Sequence, residues 1–210
     1  METMFDKVVL PSRGVFYNGK YKDPIVIDMM GFEEEKIVFG SNIEEGLDEV
    51  LRRCVKEPKN FDPTELTPTD RLFLLWKLRI HTYGSDYLIE YLDNGEVKRK
   101  TINLDELEIV ELPDDFSLAP GTLPILKSKI EIRPLTVGQI RKIDEYCSDK
   151  ASKLGLSYGE LRHETTRAKR IAKIDNKEVS ANEALEFLKG LKGRDLAYLD
   201  WLYNKIGDYG

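Results

Sequence analysis

One short pattern occurs twice and constrains the fold more than any other feature. Asp70-Arg71-Leu72-Phe73-Leu74-Leu75-Trp76 and Asp195-Leu196-Ala197-Tyr198-Leu199-Asp200-Trp201 share the form D-x-x-[FY]-L-x-W. In a helix the aspartate falls in the first turn, where the dipole favours an acid. The aromatic and the tryptophan, three and six positions on, share one face. Both stretches close on a tyrosine and a glycine, Tyr83-Gly84 and Tyr209-Gly210. Upstream, Ile25-Val26-Ile27 and Ile130-Glu131-Ile132 are β-rich runs, each followed by a helical pattern. The order predicts a diverged duplication, two strand-plus-helices lobes that suit a scaffold better than a catalyst.

Between these marks the hydrophobic period changes. Ile43, Leu47, Val50, Leu51 and Cys54 recur at helical spacing, and Thr67, Pro68 and Asp70 mark a helix start. Residues 85–112 alternate around Asn94-Gly95, a strong hairpin signal, and predict a meander of two or three strands with one at Leu107–Leu112. Thr136 and Ser180 are set to cap two later helices. The expected class is α+β, mainly helical with small antiparallel sheets. The expected division is an N-terminal lobe over 1–112, a proline-rich connector over 113–126 and a C-terminal lobe over 127–210. At 210 residues, 41% hydrophobic and 33% charged, the chain can bury a core.

Near the N-terminus stands LPSRGVFYNGK, Leu10 to Lys20. Pro11 fixes its own φ, and Gly14 and Gly19 can take φ > 0. The stretch predicts a strand end, a tight turn at Pro11 to Gly14, a short strand at Val15–Tyr17 and a second turn at Asn18-Gly19.

No catalytic residues emerge. A general base needs a positioned partner, and neither His81, at the end of an apolar helix, nor His163, among Arg162, Glu164 and Arg167, has one in the sequence. Glu33, Glu34 and Glu35 point in different directions on a helix and match a dipole-complementing first turn better than a metal site. Cys54 and Cys147 fit no zinc spacing and read as buried reduced thiols. No cofactor or metal is expected, and no apolar run is long enough to span a bilayer. The formal charge of −6 argues against nonspecific nucleic-acid binding. The one cationic cluster is Arg162, Arg167, Lys169, Arg170 and Lys173, interleaved with Glu160 and Glu164; a nucleic-acid-binding regulator using this basic helix over 160–173, or a protein-binding adaptor, are the alternatives to the reading that follows.

L-P-S-x-G-x-x-Y, as Leu10 to Tyr17, followed by a strand and an acidic helix, resembles the start of the baseplate hub and hub-assembly proteins of contractile-tailed, T-even-like bacteriophages. The helix from Thr69 to Gly84 is similar to that family's apolar D-R-x-x-L-L-x-x-R helix, and the meander ending in Asn103 to Leu112 also fits. Some relatives carry cysteine pairs in the meander, where this sequence has Tyr, Asp and Asn. The resemblance implies a non-enzymatic part in tail morphogenesis, as a hub component or an assembly chaperone. It implies other tail proteins as partners, and the host cytoplasm or the virion baseplate as location. Pro11, Arg13, Gly14, Phe16 and Tyr17 would then form a fixed edge that a partner reads.

Overall fold

The computed structural model describes residues 5–40, 42–113, 116 and 118–207. The chain divides into two compact units. One comprises Met1–Pro63 with Thr69–Glu111, the other Thr64–Pro68 with Leu112–Tyr209. The short 64–68 stretch therefore leaves the first unit and joins the second. Within the second unit Leu66 is fully buried, its carbonyl accepts from the Val137 N–H at 2.8 Å, and Gly138 lies against Thr64.

In the first unit β1 (Asp6–Val8), β2 (Ile25–Ile27) and β3 (Val55–Glu57) form an antiparallel sheet in that order. Helices α1 (Phe32–Val38) and α2 (Ile43–Cys54) separate β2 from β3, and α3 (Pro68–Tyr83) follows. The predicted apolar stripe of α2 lies inward through Val50, Leu51 and Cys54, and Asn42 caps its start. An ion pair ties α2 to α3: Arg71 Nε donates to Asp48 Oδ1 at 2.6 Å, both side chains being nearly sealed from solvent. The unit ends in a long two-stranded ribbon, β4 (Asp86–Asp93) and β5 (Glu96–Asn103), turned by Asn94 and Gly95, both at positive φ. Leu107–Leu112, expected as a further strand, forms none; a 3₁₀ turn at Leu104–Glu106 bends the chain away after β5.

The second unit repeats this order. β6 (Gly121–Thr122), β7 (Lys129–Ile132), β8 (Ile171–Ile174) and β9 (Lys177–Glu178) form an antiparallel sheet in sequence order. Helices α4 (Val137–Leu154) and α5 (Tyr158–Arg170) separate β7 from β8, and α6 (Ala181–Gly190) and α7 (Arg194–Gly207) follow. Thr136 with Gln139 and Ser180 with Glu183 make full capping boxes. In both units the third strand grows directly from the second helix, at Cys54–Val55 and at Arg170–Ile171. In both, the register slips between the second and third strands, at Val26/Ile27 and at Glu131/Ile132. The expected fold class, α+β and mainly helical with small antiparallel sheets in two strand-plus-helices lobes, is the one observed.

Candidate interaction site

The two aspartates of the repeated pattern sit where the sequence places them, in the first turns of α3 and α7. Their work goes beyond the helix dipole. Asp70 is fully buried; its carboxylate accepts from the Ser12 N–H at 3.1 Å and from the Tyr17 hydroxyl at 2.5 Å. Asp195, 4% exposed, accepts from the N–H groups of Ile125 and Leu126 at 2.7 and 3.1 Å. Each carboxylate thus holds a turn that begins Leu-Pro, Leu10-Pro11 in one unit and Leu123-Pro124 in the other, and both leucines are buried. Two backbone donors inside a protein need acceptors, and an ionised carboxylate makes the stronger kind of bond.

This clamp defines the setting of Pro11, Arg13, Gly14, Phe16 and Tyr17. Pro11 and Gly14 are buried, and Arg13, Phe16 and Tyr17 are half-buried. Gly14 has φ 74°, and a Cβ there would lie 2.6 Å from the Tyr21 carbonyl, so only glycine fits. Arg13, also at positive φ, binds Glu111 with Nη2 at 2.5 Å and Nε at 3.2 Å. Tyr17 packs edge-on to Tyr21 with ring centroids 5.1 Å apart. Val15–Tyr17 is a 3₁₀ turn rather than the expected strand, because Gly14 before it and Asn18 after it both adopt the left-handed conformation and curl the chain. The N–H groups of Arg13, Val15 and Tyr17 donate to Leu10, Ser12 and Gly14 carbonyls. With Ser12 and Gly14, five N–H groups of the turn are bonded internally, and Val15 at 40% exposure faces solvent with Asn18, Gly19 and Lys20 beside it.

The cationic cluster is distributed rather than concentrated. Arg162 pairs with Asp144 at 2.5 Å, and Arg167 with Asp200 at 2.7 Å. Arg170 lies over the Tyr203 ring and donates to the Tyr203 carbonyl; burial and the neighbouring Arg167 lower its affinity for the proton. Lys173 falls outside the helix, on β8, paired with Glu131 at 3.0 Å. Four of the five cations are thus engaged within the unit, and a face that gathers phosphates needs them directed outward.

Glu34 closes the start of α1 by accepting from the Gly31 N–H, Glu33 pairs with Lys36, and Glu35 accepts from the Tyr83 hydroxyl at 2.5 Å, so the three glutamates are separately committed. Both cysteines are buried free thiols, and burial pushes the Cys54 thiol up to about 11. Among the described residues no group of three or more His, Cys, Asp or Glu side chains is arranged to hold a metal ion, and no helix is long and apolar enough to cross a membrane.

A family model described as T4 bacteriophage base plate protein matches residues 28–206, and so takes in elements of both units. No curated protein and no solved structure matches the chain. The matched span begins just after β2, runs into the last turn of α7 and holds both copies of the repeated pattern, and on it the chain belongs to the T4 bacteriophage base plate protein family.

Proposed function

We propose that the chain acts without catalysis, as a component of the baseplate hub or as a chaperone of hub assembly, through contacts with other tail proteins in the host cytoplasm. The observation that carries this is the family match across most of the chain. Two features of the surface support it. Asp70, Asp195 and Glu34 are committed to clamps and a helix cap, and Glu33 to an ion pair. Large apolar side chains stand in solvent instead, among them Phe32, Phe39, Leu72 and Leu92, each exposed by two-thirds or more.

Within this reading the Leu10–Tyr17 turn is a rigid docking edge. Pro11, Gly14, the Asp70 clamp and the Arg13–Glu111 pair hold the shape and leave Val15 exposed. A partner reads side chains there, since the N–H groups of Ser12, Arg13, Gly14, Val15 and Tyr17 are already bonded. The Val15→Asp variant tests this in infected cells. Its melting temperature should match the wild type, while recovery of other tail proteins with it should fall at least about tenfold, the equivalent of about 1.4 kcal/mol. Undiminished recovery would count against a docking role for this edge.

A further inference from the structure

The β4–β5 ribbon is eight residues long on each side and has no third strand among the described residues. None of its residues is buried; only Ile89, Asp93, Ile102 and Asn103 are even half-covered. A lone two-stranded ribbon is marginal in water. This one is fixed at its base, where Arg79 donates to the Asp86 carbonyl at 2.9 Å and stacks on Tyr87. Beyond the base both edges and both faces are open. One face carries Leu88, Leu92 and Val97 at 56%, 76% and 66% exposure, together with Glu90, Arg99 and Thr101.

Its charges are sorted by strand. The charged residues of β4 are Asp86, Glu90 and Asp93, all acidic; β5 carries Lys98, Arg99 and Lys100 after a single Glu96. Two copies meeting about a twofold axis would set β4 against β4 or β5 against β5, with like charges across the new pair. The opposite pairing, β4 of one copy beside β5 of the next, sets acid against base. It repeats between copies the pairs the ribbon already holds within itself, Glu90 with Arg99 at 2.6 Å and Asp93 with Lys98. It also keeps strands antiparallel and runs Leu88, Leu92 and Val97 on as one apolar row.

We propose that the ribbon is a self-association arm, in which β4 pairs edge to edge with β5 of a second copy, head to tail and in the register of the hairpin itself. Such an interface is heterologous, so it builds a closed ring or an open stack rather than a twofold dimer. This inference does not depend on the role in the baseplate.

The geometry supplies a selective probe. In a two-residue hairpin the closing pair, Asp93 with Glu96, exchanges both ladder bonds, so by alternation the Glu90 N–H points to the open edge. Glu90→Pro removes an outward donor without taking a bond from the ribbon; Glu90→Ala removes the same carboxylate and keeps the donor. In sedimentation over a concentration series, the wild type and Glu90→Ala should exceed the single-chain mass of 24.2 kDa, and Glu90→Pro should fall to it. A second arm uses no proline and decides the matter if that variant misfolds. A mixture of full-length Leu92→Cys and Val97→Cys chains, with native Cys54 and Cys147 buried, should form mixed disulfides on mild oxidation. A wild type at single-chain mass throughout, a folded Glu90→Pro that still associates, or disulfides only between like variants would overturn the proposal.

Discussion

Asp70 is the residue on which most of the N-terminal turn depends. Its carboxylate is the acceptor for the Ser12 N–H and the Tyr17 hydroxyl, and none of it reaches solvent. Replacing it with alanine takes the acceptor from the buried Ser12 N–H and from the half-buried Tyr17 hydroxyl and should cost about 3 kcal/mol in urea unfolding, with Tyr17→Phe costing about 1 kcal/mol. Asp195→Ala should behave like Asp70→Ala, since Asp195 holds Ile125 and Leu126 in the same way. Equal stability of both alanine variants and the wild type would show that the clamps carry no load. Two glycines separate the backbone effect from the steric one. Gly19→Ala, at φ 83° with nothing within 4 Å, should cost about 1 kcal/mol. Gly14→Ala adds a clash with the Tyr21 backbone and should cost at least about 2 kcal/mol. Cys54 sets a pH dependence. Its thiol is raised from 9.0 to about 11 by burial, so between those values the unfolded chain has lost a proton the folded chain keeps. Stability should therefore fall as pH rises through that window, and Cys54→Ala should flatten the fall. At this scale the sequence showed that Asp70 opens a helix. It could not show the acceptor role, because Ser12 and Tyr17 lie 58 and 53 positions away.

The elements that could be read from sequence are those whose signals are local. The caps at Thr136 and Ser180 act within three residues, and Asn94-Gly95 specifies its own hairpin. Thr136→Ala and Ser180→Ala should each lower stability by about 1 kcal/mol, read as a shift in urea midpoint. Elements defined by distant partners were not legible. Val15–Tyr17 has strand-like residues, yet left-handed Gly14 and Asn18 make it a 3₁₀ turn. The strand that pairs with β2 is Asp6–Val8, just ahead of the Pro11 turn, where the sequence reads a strand end. Leu107–Leu112 alternates as a strand should, but finds no ladder to join. The α2–α3 junction was equally hidden, because nothing near Arg71 announces Asp48. Arg71→Ala removes the cation paired with that buried carboxylate and should destabilise the chain by about 3–5 kcal/mol in urea. A loss below about 1 kcal/mol would mean that Asp48 finds another partner.

Across the whole molecule, the repeated D-x-x-[FY]-L-x-W pattern proved the outward sign of a larger correspondence. Each unit runs strand, strand, helix, helix, strand and ends its helical run on a helix opened by a buried aspartate that holds a Leu-Pro turn; the second unit inserts β9 and α6 before that helix. Sequence periodicity reached the order of elements. It did not reach the transfer of Thr64–Pro68 to the second unit, which depends on the Leu66–Val137 hydrogen bond and on no local composition. The candidate site was visible as a motif, and its inward commitments were not. The base plate family match takes in elements of both units, and buried Asp48, Asp70 and Asp195 are occupied in holding shape. The central claim is that this chain works by binding other tail proteins. The most direct measurement is quantitative mass spectrometry of baseplate assembly intermediates isolated from infected cells. The chain should occur in those intermediates at a fixed ratio to other tail proteins; recovery of the chain wholly free of them would refute a role in binding them.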